Sequence, residues 1–167
     1  MLLTRTMAAV ALLAIAGCCP FVGDSSAAPR IDAIFSLGSG TQIDVNDGGT
    51  VPILRPGQGG GVLFIGARYR NMGSCVSISA QLRDPATNAI AGFESRTVDS
   101  DVGPDGQSAS VKGDNYDTAN VPVCPANTEL GAVSGRVWTL DVTVTDSSGK
   151  SAKSSIKVTP ICGSACC

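Results

Sequence analysis

Twelve aspartates, two glutamates, seven cysteines and no histidine define the chemistry open to this chain. Without histidine there is no Ser–His or Cys–His pair, and no imidazole to move protons near neutral pH. Acid–base work would fall to two carboxylates, which glycoside hydrolysis needs about 5–10 Å apart. Most of the acids flank turn-forming residues, where aspartate bends the chain by bonding its own backbone. A carboxylate-based hydrolase is therefore the least favoured reading, and no catalytic residue is assigned. The densest acidic stretch is "DSDVGPDG" over 99–106, with Asp99, Asp101 and Asp105. Counted from Asp101 as a calcium loop, positions 5 and 6 are Asp105 and Gly106. Position 12 is then Lys112, where a closing acid is required. No cofactor is expected; the nearest approach to one is a surface calcium ion on this loop, with Asp114 and Asp117 close by.

Seven cysteines suit an oxidising compartment, and an odd number leaves one apart. The tail "CGSACC" carries Cys162, Cys166 and Cys167, but zinc sites bring cysteines in spaced pairs, often with histidine. Disulfides are expected instead of a metal. The pairing favoured here joins Cys75 to Cys124 and Cys162 to Cys166 or Cys167, while Cys19 takes a remaining partner or stays free. "PGQGGG" at 56–61 lacks the Lys-Ser/Thr and following helix of a phosphate loop, and reads as a hairpin end. Tyr116, in "GDNYDTAN", is a candidate contact residue on a loop, or a ring packed on the end of the fold.

The formal charge is −2 and no Lys/Arg run occurs, so nucleic acid is not an expected partner. Aromatics are only 4% of the chain. The core must therefore come from Val, Ile, Leu and Ala, which suit packed sheets. Beyond Ile31 the pattern is alternation, with no helical period. Val76, Ile78, Ala80 and Leu82 share one face against Ser77, Ser79, Gln81 and Arg83. Trp138, Leu140, Val142 and Val144 oppose Thr139, Asp141, Thr143 and Thr145, and "SAKSSIKVTP" repeats the pattern with Ala152, Ser154, Ile156 and Val158. "DPATNA" at 84–89 and "DSSGK" at 146–150 are turns. Further strands are expected at 31–37, 50–54, 62–70, 89–97 and 107–113. One-sided alternation of this kind predicts an all-β, antiparallel sandwich of about seven to eight strands, not a parallel α/β sheet.

Residues 1–17 have the layout of an export signal: Arg5, then the apolar run "MAAVALLAIA", too short for the roughly twenty residues of a membrane span. Ile15-Ala16-Gly17-Cys18 resembles the lipobox of bacterial lipoproteins. The resemblance implies cleavage before Cys18, which would then carry diacylglycerol on its sulfur and usually an acyl chain on its nitrogen. It also accounts for the odd cysteine. Cys19 in place of aspartate at the next position implies the outer membrane, in a bacterium that has one. An ordinary cleaved signal, cut after "AIAG" or "SSAA", is the alternative. The expected organisation is a lipoprotein signal peptide over 1–17, a lipidated N-terminus and tether over 18–30, an Ig-like sandwich domain over 31–160, and a Cys-rich tail over 161–167.

"VWTLDVTVTDSSGKSAKSSIKVTP", residues 137–160, resembles the last hairpin of bacterial immunoglobulin-like domains of the PKD and fibronectin type III kind. It departs from them in placing Trp138 on the penultimate strand and Tyr116 eight positions before Cys124. Together the resemblances imply a lipid-anchored envelope protein presenting an Ig-like module for non-enzymatic binding. A structural or assembly role is the alternative. Its partners would be the membrane, through the anchor, and a protein or glycan. The loops at 99–106 and 114–120 are the expected contact surface.

Overall fold

The computed structural model describes residues 19–57, 59–114, 116–124 and 132–162. Thirteen strands account for the regular structure: β1 (Phe21–Val22), β2 (Arg30–Ser36), β3 (Gln42–Asp44), β4 (Gly49–Ile53), β5 (Gly61–Arg70), β6 (Met72–Gly73), β7 (Val76–Arg83), β8 (Ile90–Val98), β9 (Ser100–Val102), β10 (Ala109–Val111), β11 (Ala119–Cys124), β12 (Trp138–Asp146) and β13 (Ser151–Cys162). No helix occurs among the described residues. Two large sheets pack face to face. One has the order β3-β2-β5-β10-β9, with β11 also on β5, and the other β4-β13-β12-β7-β8. The chain moves repeatedly from one sheet to the other, so each sheet is assembled from distant segments. Every pairing is antiparallel except β4 on β13.

The alternation read from the sequence is the alternation of burial. Val76, Ile78, Ala80 and Leu82 on β7 all point inward, as do Trp138, Leu140, Val142 and Val144 on β12. Strands β7, β12 and β13 run in unbroken register, Ile78 beside Val144 and Val144 beside Ala152. Although aromatics are few, Trp138, Tyr69 and Phe35 are the largest of the fully buried side chains. Each fills space that several small β-branched residues would otherwise have to fill.

Three expectations are corrected. The strand count exceeds seven to eight, because β1, β3, β6 and β9 are two- or three-residue pairings too short to leave a periodic signature. The stretch leading to Cys124, where no strand was expected, is β11. Its Pro122 lies opposite Val62, whose N–H and C=O both bond Leu54, so no ladder donor is needed there, and the register shifts before Cys124. Thirdly, residues 19–30 are not a tether. Val22 is fully buried in the core, and β1 pairs with β6.

One long side of the sandwich is closed where β11 lies on β8. Glu94 on β8 accepts a hydrogen bond from the Asn120 backbone N–H. Gly92 sits where a Cβ would collide with the Pro122 carbonyl oxygen.

Candidate functional site

Three places on the sandwich combine unusual construction with chemical groups. The strands β7, β12 and β13 give the fold two ends. One carries residues 19–28, the corner 71–75, the turn 103–106 and the hairpin turn 146–150. The other carries the loop 37–41, the hairpin 54–61, the turn 84–89 and residues 132–137.

At the first end the segment 19–28 forms a strap. Cys19 is disulfide-bonded to Cys75, with the two Cα atoms 5.2 Å apart and 56 positions between them in sequence. This overturns the expected Cys75–Cys124 bridge: Cys75 is already taken by a partner that pairing had assigned to the tether. Ser74 N donates to the Pro20 carbonyl at 2.9 Å and Asn71 N to the Val22 carbonyl at 2.7 Å. Asn71 has positive φ, which asparagine tolerates better than most residues. That conformation lets Oδ1 accept from Asp24 N at 3.0 Å while Nδ2 donates to the Ala28 carbonyl at 2.8 Å. Gly23 N donates to the Gly106 carbonyl at 2.9 Å. Phe21, 41% exposed, lies under the Lys150 ammonium, 5.0 Å from its ring centre, and the same ammonium reaches the Ser25 carbonyl at 3.2 Å.

Asp146 organises the ground beneath the strap. Its Oδ2 accepts from Gly73 N at 2.8 Å, and its Oδ1 from Ser148 N, Ser148 Oγ and Lys150 N. Burial pushes its pKa up, but the bonds from Ser148, Gly73 and Lys150 outweigh this and hold it below the ordinary carboxylate value. Tyr69, also buried, donates its hydroxyl to the Ser74 carbonyl at 3.0 Å and braces the same corner.

The second place is the loop cluster expected to make contacts. Asp99 N donates to Asp117 Oδ1 at 2.8 Å, and Lys112 Nζ lies 3.4 Å from Asp99 Oδ2, so the structure joins the two loops. The Asp99 carboxylate raises the Lys112 pKa, by hydrogen bond and by charge. Asp114 Oδ1 accepts from Tyr116 N and Asp117 N, bending the loop so that Tyr116 stands 84% exposed. Asp101 lies on β9 opposite Ser110, and Asp105 caps its own turn by accepting from Gln107 N. Among the described residues no three Cys, Asp or Glu side chains converge on a common point where a metal ion would sit.

Tyr116 forms one wall of a groove of about 600 Å³, bounded also by Phe64, Val62, Pro56, Arg96 and Asn120. It continues into a shallower hollow beside Leu37 and Arg55. Its size is that of a small-molecule or peptide site. Arg96 is committed to Glu94 and to the Tyr116 carbonyl, so the groove offers an aromatic ring, an apolar floor and neutralised charge. Such a lining can hold an extended polar chain.

A third cluster was missed in the sequence. Asp141 sits on the outer, polar face of its strand yet is only 4% exposed. Gln81 Nε2 and Arg83 Nε and Nη2 all bond Oδ2 at 2.9–3.0 Å, and Lys153 Nζ lies 3.5 Å from Oδ1. Burial raises its pKa, but Ser155, Gln81, Arg83 and the Lys153 charge lower it more, to about 2. A cavity of about 120 Å³ lies above it, bordered by Phe93, Ser79 and Thr143. The register that places Gln81 and Ser155 opposite Asp141 was the signal, and it is a pairing that alternation alone does not specify.

Cys162 is disulfide-bonded as well. Cys18, Cys166 and Cys167 lie outside the described residues, as does the side chain of Cys124, and so do the pairings expected of the tail. Compared with known proteins, the chain matches no family model, no curated sequence and no solved structure.

Proposed function

We propose that this is a lipid-anchored protein of a bacterial envelope, in which an Ig-like sandwich binds a protein or glycan partner without catalysing a reaction. One observation carries the reading: Cys19, directly after the cysteine of the lipobox-like sequence, is tied into the fold by its disulfide to Cys75. Processing before Cys18 leaves the strap whole. Cutting after "SSAA" would sever Cys19 and buried Val22 from the chain that follows, so the strap argues for a cut at the Gly17–Cys18 bond and against the "SSAA" site. The Cys19–Cys75 bridge fits an oxidising compartment outside the cytoplasm. Two or more acyl chains on one cysteine make membrane attachment effectively permanent, because each buried methylene contributes about 0.8 kcal/mol.

The groove beside Tyr116 is the contact surface this reading favours, since loops on a rigid scaffold carry binding. An assembly role through strand pairing has less support. At the edges of the first sheet β3 and β9 are three residues each, too short for a strong pairing template, and the longer edge strand of the second, β8, has β11 against it.

Metabolic labelling with radioactive palmitate tests the anchor. Label is expected on the native chain and absent from Cys18→Ser; label persisting in that variant would sink the assignment. A photoreactive residue at position 116 on intact cells tests the surface. It should yield one discrete adduct that the same group at position 93 does not.

A further inference from the structure

We propose that the strapped end of the sandwich rests directly on the phospholipid headgroups, with no spacer between the acylated residue and the folded body. The inference rests on the acylation of Cys18 proposed above, and adds to it an orientation and a contact surface. Adjacent Cα atoms are about 3.8 Å apart. An acylated Cys18 is therefore bonded to a residue that is itself held by a disulfide to Cys75, at the start of β7. Further hold comes within the next few residues. Ser74 bonds Pro20, Asn71 bonds Val22, and Val22 is buried in the core. A flexible tether of a dozen residues would let the domain tumble well away from the bilayer. Here the chain has no slack to do so.

The residues at this end have the chemistry that such a position calls for. Arg30 and Arg70 lie directly opposite one another on β2 and β5, both exposed. Neither has a carboxylate partner among the described residues. Like charges facing each other across a strand pair repel, and an anionic layer relieves that repulsion. Lys150 adds a third cation beside the half-exposed ring of Phe21. An aromatic ring with cations around it is the pattern found at membrane–water boundaries. Of the acids at this end, Asp146 is buried beneath the strap with both oxygens occupied, while exposed Asp24 and Asp105 each turn one oxygen onto their own loops, to Ser26 and to Gln107 N.

The test compares the native chain with a variant carrying a four-residue Gly-Ser spacer between Cys18 and Cys19. Both are reconstituted in phosphatidylethanolamine–phosphatidylglycerol vesicles. Intact mass establishes acylation of Cys18 in each, and peptide mapping establishes the Cys19–Cys75 bridge. Lysines are then acetylated from the aqueous side and quantified by mass spectrometry, with Lys157, on the flank of the sandwich, as reference. Lys150 should react about fivefold more slowly in the native chain than in the spacer variant, and Lys157 equally in both. Equal Lys150 reactivity in two acylated proteins overturns the contact and leaves the anchor standing. An unmodified Cys18 in the native chain overturns both.

Discussion

The two ends of the sandwich are built on the same local device and finished differently. Each has an aspartate directly at or after the last residue of a strand, buried and folded back on the turn that follows. Asp84 accepts from Ala86 N and Thr87 N in "DPATNA", and Asp146 from Ser148 N and Lys150 N in "DSSGK". At the Asp146 end the remaining oxygen binds a neighbouring corner, and a disulfide-bonded strap covers the turn's surroundings. At the Asp84 end the remaining oxygen pairs with Arg136 at 2.9 Å. The Arg136 guanidinium in turn stacks over Trp138, 4.9 Å from the ring centre. That end leaves Leu37, Val137 and Ile161 exposed and opens towards the groove beside Tyr116. One end is sealed by links that cross long stretches of sequence. The other is held by the Asp84–Arg136 ion pair and carries disulfide-bonded Cys162, and it displays loops.

The contrast predicts unequal responses to mutation. The largest effect belongs to the strap: Cys19→Ser with Cys75→Ser should cost about 4 kcal/mol of unfolding free energy on the chain-entropy estimate, read from urea melts. Hydrogen exchange should rise over 20–28 and 71–75 while the 84–89 turn stays protected. Uniform loosening would mean the ends are not independent. Gly23→Ala forces a side chain into a positive-φ position against Asn71, where a Cβ would lie 2.6 Å from Oδ1. It should cost about 2 kcal/mol, again confined to the strap.

At the far end Arg136→Ala removes the ion pair and the stacking on Trp138, and about 1 kcal/mol is expected. Strap amides should not change; if they do, the division fails. Acid probes the sheet between the ends. Asp141 has a pKa of about 2 in the folded state against 3.8 for the free side chain. Its stabilisation is therefore complete above pH 4 and is lost as pH falls towards 2. Asp141→Asn should remove about 1 kcal/mol of that acid sensitivity in pH-dependent melts, allowing for partial solvent screening. The smallest effect is expected at Tyr116→Ala, within about 0.5 kcal/mol of the native stability. A larger loss would make Tyr116 a packing residue and remove it from the contact surface.

Much of the fold was legible because its signal is local. Strands β2, β4, β5, β7, β8, β12 and β13 fall within a residue or two of their expected spans in all but one case, β13, which continues to Cys162. The turns at 84–89 and 146–150 were legible because Asp, Pro, Asn and Gly act on their own neighbours. The strap was not. "CPFVGDSSAAPR" has the composition of a linker, and what orders it is Asn71 and Cys75, which lie more than 40 positions away. The Asp99–Asp117 link between the two acidic loops was likewise a matter of which strands lie side by side. So was the burial of Asp141, whose cover comes from two other strands.

The sequence by itself determined which residues face inward, where the strands turn, and that no histidine-based chemistry is open to the chain. Side-chain alternation with a period of two and turn chemistry are carried within a few residues. The tertiary structure alone decided which cysteine meets Cys75, that residues 19–28 belong to the body, and that Tyr116 borders a groove. Those outcomes depend on pairings between segments far apart in the chain, and such pairings are selected by the packing of the whole core.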